Sequence, residues 1–361
     1  MNKLFKHGVI MTAEKTKKEV IDLNAPQAER IIGVDCGTMN LVLSEQKDKS
    51  AEFSSIRNMY LPLEKDQITM AELSNIDFVE SDEHVFIIGN DAFNFSNIFG
   101  KTVKRPMSKG LISPDETDSL DVLALIIQKL CGKAKGGKCI YCIPAPSIDT
   151  KNNVVYHEGV FKRIFTDLGY QAESMNEAMA LIYSQCQSDQ FTGLAFSFGA
   201  GMVNVAMSYK SVPVVTFSVA RAGDWIDEQA AMSLGTVANR ITKIKETNTD
   251  LANFSSGGKK ERRIREAIVY YYREMIRYSL DQIKNKLSES TGDLELPESL
   301  SVVVSGGTSM ATGFLTLFNQ VLEEYKDSFP VQIKSVKQAE DPMTAVAEGL
   351  LIKALSKFKK E

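Results

Sequence analysis

Ile31-Ile-Gly-Val-Asp-Cys-Gly-Thr-Met-Asn40 reads as an apolar strand that ends on an acid and breaks at a glycine. A second strand follows over 40–44. A turn of this kind can hold an anion. Glycine has no side chain and tolerates positive φ, so consecutive backbone N–H groups can close on a phosphate oxygen. The unit returns later in the chain. Residues 193–198 read as a strand, Gly199-Ala-Gly201 as a turn, and 202–209 as a strand, with a third strand over 212–219 after Lys210-Ser211. A third glycine turn, Ser305-Gly-Gly-Thr308, ends another apolar run. A single glycine turn says little, because such turns join most hairpins. Three at wide spacing, two of them in repeated units, point to an internal duplication around one phosphate-bearing ligand.

Rival nucleotide folds fail on their own requirements. The chain has no GxxxxGK[ST], so no P-loop. Gly199-Ala-Gly-Met-Val-Asn204 lacks the third glycine of a dinucleotide fingerprint and runs into a strand, not a helix. Helices separate the strands. Residues 118–133 carry a stripe of Leu120, Leu123, Ile127 and Leu130. Residues 153–168 carry Val154, Phe161, Ile164, Phe165 and Leu168 and stop at Gly169, a suitable C-cap. Asp341-Pro342 reads as an N-cap with proline at the first helical position, and long charged helices fill 262–289. Alternation of strands and helices gives an α/β protein.

The 361 residues have ordinary globular composition, 43% hydrophobic and 24% charged. A formal net charge of -4 gives no basis for nucleic-acid binding. No apolar run approaches the ~18 residues of a membrane span. The five cysteines (Cys36, Cys131, Cys139, Cys142 and Cys186) are odd in number and scattered, which fits a reducing cytosol. Cys139 and Cys142 form a CxxC, but no second Cys/His pair completes a zinc site, and both are expected in the core. Residues 1–28 read as an extension outside the fold. Within them 1–11 mix Lys3 and Lys6 with Leu4, Phe5, Ile10 and Met11; a loose tail is the favoured reading, and a short membrane-surface helix the other.

Three segments resemble the signature motifs of the actin and MreB superfamily. Ile32-Gly-Val-Asp-Cys-Gly-Thr-Met-Asn40 resembles the phosphate-1 loop, Leu194-Ala-Phe-Ser-Phe-Gly-Ala-Gly-Met-Val-Asn204 phosphate-2, and Val303-Val-Ser-Gly-Gly-Thr-Ser-Met310 the adenosine motif. Arg105-Pro-Met-Ser-Lys-Gly-Leu-Ile112, Ala222-Gly-Asp-Trp-Ile-Asp-Glu228 and Asp341-Pro-Met-Thr-Ala-Val-Ala-Glu-Gly349 resemble further MreB segments in the correct order over about residues 30–357. Tyr156-His-Glu-Gly-Val-Phe161 and Gly223-Asp-Trp-Ile-Asp227 are also similar to archaeal actin-like proteins.

The resemblance implies the actin-like ATPase fold: two duplicated α/β lobes, four subdomains in all, around a nucleotide cleft holding ATP or ADP with Mg2+. The first lobe is expected over 29–150 and 336–361, with a small insertion at about 53–83. The second is expected over 151–335, with an insertion at about 222–290. By the same resemblance Asp35 faces the magnesium through water. Gly37, Thr38 and Asn40 line the β-phosphate, Gly199, Ala200 and Gly201 the γ-phosphate, and Gly306, Gly307 and Thr308 adenosine and the α-phosphate. Lys243 and Glu246, near the end of a helix starting at Asp224, touch adenine and ribose, with a solvated charged face as the competing reading. His157 or Glu158 orients the attacking water, or both are surface polar residues. Position 197 departs from the family: Ser197 stands where most relatives carry an aspartate near the metal, so hydrolysis is expected to be slow.

The functional expectation is a cytoplasmic, filament-forming ATPase whose partner is itself. A non-polymerising ATP-binding regulator is the alternative. A small-molecule kinase on the same fold lacks an identifiable catalytic aspartate.

Overall fold

The computed structural model describes residues 30–48, 50–65, 76, 78–80, 84–112, 119–151, 154–254, 258–290 and 297–359. The 1–28 extension, with its 1–11 segment, lies outside the described residues.

The first sheet opens with β1 (Ile31–Cys36), β2 (Asn40–Lys47) and β3 (Ser50–Arg57), each antiparallel to the last. A small separate sheet follows, made of β4 (Tyr60–Glu64), β5 (Phe78–Glu80) and β6 (His84–Ile88) in the order β4-β6-β5, with helix α1 (Gly89–Phe99) after it. Strands β7 (Met107–Ser108) and β8 (Leu111–Ile112) form a hairpin, and α2 (Ser119–Cys131) leads back to the main sheet. There β9 (Gly137–Ile143) pairs in parallel with β1. After α3 (Val154–Asp167), β10 (Tyr170–Asn176) pairs in parallel with β9. The finished order is β10-β9-β1-β2-β3.

Helix α4 (Glu177–Gln185) then carries the chain into a second sheet. Strands β11 (Gly193–Phe198), β12 (Val203–Tyr209) and β13 (Val212–Val219) are antiparallel neighbours. Helices α5 (Gly223–Leu234), α6 (Ala238–Asn248) and α7 (Lys259–Ser290) follow. Then β14 (Ser299–Ser305) joins β11 in parallel, α8 (Phe314–Glu323) intervenes, and β15 (Gln332–Gln338) joins β14 in parallel. The order β13-β12-β11-β14-β15 reproduces the first sheet strand for strand. The duplication read from the glycine turns is thus a duplication of topology.

Final helix α9 (Ala345–Phe358) returns to the first sheet, where Val346, Leu350 and Ala354 enter its core. Helix α4 packs on the second sheet through Ala178, Leu181 and Ile182. The two helices cross, so each lobe lends its last connection to the other. Their backbones touch at Gly349, where a Cβ would lie 1.8 Å from the Ala180 carbonyl oxygen. Gly349→Ala is therefore expected to cost about 3 kcal/mol or more, at or beyond the usual range for overpacking. An unchanged Tm would show that the helices do not approach this closely.

Several boundaries move from where the sequence put them. Helix α3 and strand β10 belong to the first sheet and its core (Phe161, Phe165, Tyr170), so the lobe border lies near Asn176 and not at residue 150. Strand β3 belongs to the main sheet; the small insertion covers β4 to α1 and not 53–83. Val122 and Ile126 are fully buried on α2, while Leu120 and Leu130 are partly buried at its margin. Residues 224–248 form two helices, divided where Gly235 caps α5 at φ 61°. A single helix spans 259–290. Asp341 is not the N-cap of the last helix, whose cap is Thr344; its side chain accepts the Met343 N–H at 3.0 Å in a turn before it.

Cys139 and Cys142 stand three apart on β9 and so point to opposite faces of the sheet. Both are buried and free. Among the described residues no helix is long and apolar enough to cross a membrane.

Candidate functional site

Both repeated glycine turns face one cavity of about 570 Å³ between the lobes. Asp35, Gly37, Thr38 and Asn40 line it from the first lobe. Gly199, Ala200 and Gly201 line it from the second, and Gly306, Gly307 and Thr308 complete that side. The turns reach it because β1, β11 and β14 all end at the same edge of their sheets.

Hydrogen bonds fix each turn from behind. Asn58, fully buried, donates its side-chain amide to Gly37 O at 3.1 Å and its backbone N–H to Met39 O at 2.8 Å. The Thr308 hydroxyl donates to Gly199 O at 2.8 Å. The Gly223 and Asp224 N–H groups donate to Gly199 O and Ala200 O at 3.1 and 2.8 Å. The second turn is thus held by the third turn and by the start of α5. Gly306 adopts φ 90°, a left-handed conformation open to glycine and strained for other residues. Arg105 of the first lobe grips Asp224 of the second with two nitrogens, at 3.0 and 3.2 Å. That fork spans the lobes beside the second turn.

The floor of the cavity carries two partly buried carboxyls. Asp35 Oδ1 accepts the Cys142 thiol at 3.1 Å. Glu177, the first residue of α4, accepts the Ser197 hydroxyl on Oε1 at 2.6 Å and the Asn204 amide on Oε2 at 2.7 Å. Ser197 and Asn204 are direct cross-strand partners on β11 and β12, which puts both donors on one face. The Asn204 carbonyl is occupied by the Ala145 N–H at 3.1 Å, so its amide nitrogen stays on Glu177. Burial pushes the pKa of Asp35 above the usual carboxylate range. Burial, with the charge of Asp35 second, does the same to Glu177.

The opposite end of the cavity is built from α5, α6 and α7 and the short turn at 307–310. Asp227, Thr242, Lys245, Glu246, Tyr272 and Met310 line it. The Lys245 ammonium donates to Asp227 Oδ2 at 2.8 Å and to Gly223 O at 2.9 Å. Arg57 enters the cavity wall from β3, over the ring of Phe93.

Three sequence expectations fall outside this cavity. Lys243 is exposed on the far side of α6; Thr242, Lys245, Glu246 and Thr249 share the inner face at helical spacing. The lysine at the cavity is thus Lys245, two positions on. His157 is a core imidazole, 1% exposed, that accepts the Ile112 N–H on Nδ1 at 3.3 Å. Burial lowers its pKa to about 4, so it stays neutral. Glu158 accepts the Ser174 hydroxyl on the first lobe. Neither lines the cavity, whereas Glu177 does. A signal for Glu177 exists in the sequence: Asn176 caps α4 by accepting the Met179 N–H at 3.0 Å, and an acid directly after such a cap stands at a helix N-terminus.

Comparison with solved structures gives the fold a name. A MamK double helical filament subunit matches with a TM-score of 0.66 at 13% identity, over 91% of this chain and 99% of that one. MreB5 of Spiroplasma citri bound to ADP matches at 0.61 and 15% identity, over 92% and 97%. The same protein bound to AMPPNP matches at 0.61 and 15%, over 93% and 98%. Among curated proteins none matches this chain. The family model described as Volactin matches residues 31–354. The chain therefore has an actin-like fold and belongs to the Volactin family.

Proposed function

We propose that this protein binds ATP with magnesium between its lobes, hydrolyses it slowly and assembles into cytoplasmic filaments. The observation that carries the reading is the convergence of three glycine turns, from two lobes, on one cavity with two carboxyls at its floor. Backbone N–H groups in such turns suit phosphate oxygens. Among the described residues no set of three or more side chains forms a metal site. Two hard oxygen ligands suit a magnesium ion that keeps water and phosphate as its other ligands. Asp35 and Glu177 would hold it; when bound it offsets phosphate charge. Glu177 would take up or orient the attacking water. Ser197 brings a neutral hydroxyl to the floor, and that hydroxyl is engaged by Glu177, which supports slow turnover.

Self-assembly is supported by the filament-forming neighbour of the same fold and by exposed apolar side chains far from the cavity. Met232 and Val237 flank the α5–α6 turn, and Tyr209 and Val212 flank the β12–β13 turn. Electron microscopy and pelleting with and without ATP and magnesium test the reading. Filaments or pelleted protein are expected only with nucleotide. Asp35→Ala is expected to abolish nucleotide-dependent assembly; unchanged filaments and turnover in that variant would remove the metal assignment. Tight ATP binding without assembly at any concentration or salt would leave a nucleotide-binding regulator.

A further inference from the structure

We infer that Arg57 is a phosphate-recognition residue: its guanidinium donates to the polyphosphate chain of the bound nucleotide. The inference rests on the nucleotide reading above and assigns a contact within it. Strand pairing decides which way Arg57 points. It is the last residue of β3 and the direct cross-strand partner of Asn40, where β2 leaves the first glycine turn. Cross-strand partners share one face of a sheet, and so do residues two apart on a strand. Asn40 and Val42 both line the cavity, so the face that carries Arg57 is the cavity face, and Arg57 lines the same cavity. Ile56, on the other face, packs against the core of the first sheet. The next residue, Asn58, donates to Gly37 O and Met39 O and so fixes the backbone of the turn. Two consecutive residues thus serve one turn, Asn58 from behind and Arg57 from its open side.

The charges of the cavity call for such a cation. Five acidic residues line it, against two cationic ones, Arg57 and Lys245. Lys245 is engaged by Asp227 and by Gly223 O. Arg57 has no carboxylate partner among the described residues; its guanidinium carbon lies 5.0 Å from the centre of the Phe93 ring. Phe93 is itself 48% exposed, and a ring face in such a place is a weak partner for a cation. A phosphate accepts two parallel N–H bonds from the planar fork of an arginine and displaces it. Arg57 is half-buried, so it is open to a ligand in the cavity. A triphosphate entering among acids therefore meets a cation that is already beside the first turn and is not held by another charge.

Two measurements on the full chain with magnesium test the assignment. Calorimetry compares ATP binding by wild type, Arg57→Gln and Arg57→Lys. Arg57→Gln is expected to bind ATP about 10- to 100-fold more weakly, the loss of a hydrogen bond between charged groups. Arg57→Lys keeps the charge without the fork and is expected to recover part of that loss. The second measurement uses wild type alone. Phenylglyoxal, which labels arginine, is applied with and without ligands, and the labelled residues are read by mass spectrometry. ATP and inorganic triphosphate are each expected to slow labelling of Arg57, and adenosine to leave it unchanged. Arg263, exposed on α7, is expected to label alike throughout. Labelling of Arg57 at one rate with and without saturating ATP overturns the assignment, even if Arg57→Gln does not fold. So does wild-type ATP affinity in Arg57→Gln, or protection by adenosine equal to that by ATP. Absence of any nucleotide binding by wild type is a different failure: it removes the parent reading, and this one with it.

Discussion

Glu177→Gln is expected to lower ATP turnover by about 10²- to 10⁴-fold, the range for loss of a positioned acid–base group. The expectation comes from how the carboxyl is held. Glu177 is anchored through both oxygens by two donors of the second lobe, Ser197 and Asn204, and stands beside Asp35 of the first. Its orientation is therefore set before any ligand arrives. Glutamine fills the same volume and can keep both anchors, its carbonyl accepting from the Asn204 amide and its NH2 donating to the Ser197 hydroxyl, but it has no carboxyl proton to exchange. Phosphate release under single-turnover conditions measures the effect. Turnover within threefold of wild type would remove Glu177 from the chemistry and return the question to a residue outside the cavity floor.

The same carboxyl makes a prediction without nucleotide. Burial raises the pKa of Glu177 above its unfolded value, so the folded state holds a proton that the unfolded state releases. The stability this contributes is present below the ordinary glutamate pKa, about 4.3, and is lost as pH rises through the raised one. The apo protein should accordingly melt at lower temperature as pH climbs from about 5 past neutrality. Glu177→Gln should reduce that slope to the part left by Asp35, whose pKa burial raises to about 6, and a slope as steep as wild type would assign it elsewhere.

Sequence reasoning reached the fold because its evidence was local. A glycine turn between two apolar strands is written in consecutive residues, and two copies of it implied duplicated sheets. It failed where the deciding contact joins distant segments. Strand β10 pairs with β9 across a whole helix, and nothing near residue 150 reveals that the first sheet continues past it. His157 and Glu158 lie on an amphipathic helix whose inner face cannot be told from an active-site face until β8 is seen to cover it. The Lys243 error has a smaller cause. Two lysines two apart on a helix point about 200° apart, and only the phase set by Ile241, fully buried, chooses Lys245 for the inner side. Ser197 reads in the sequence as a departure from the family pattern, but its partner is not visible there. Its hydroxyl bonds Glu177, which arrives from α4, twenty residues away in sequence.

Gly201→Val is expected to weaken ATP binding by about 10²- to 10⁴-fold while leaving the apo protein folded. A Cβ at this position would lie 2.3 Å from the Gly110 nitrogen and 2.6 Å from the Thr38 hydroxyl, both across the cleft in the first lobe. Gly201 is not among the residues with positive φ, so its own backbone accepts valine without strain. The clash is with the other lobe alone. Relief requires the lobes to part by about 1 Å or more, since ordinary contacts begin near 3.4 Å. Hydrogen bonds near 2.9 Å do not survive such a shift. Losing two charge-assisted bonds at about 1.5–3 kcal/mol each gives the stated range. Because the Arg105–Asp224 fork spans the same gap, it should loosen with the turns. Calorimetry reads the affinity and thermal unfolding checks the fold. Wild-type affinity in Gly201→Val would mean that the second turn does not share its phosphate with the first, and a clamp made of two lobes could not then be the way this chain holds nucleotide.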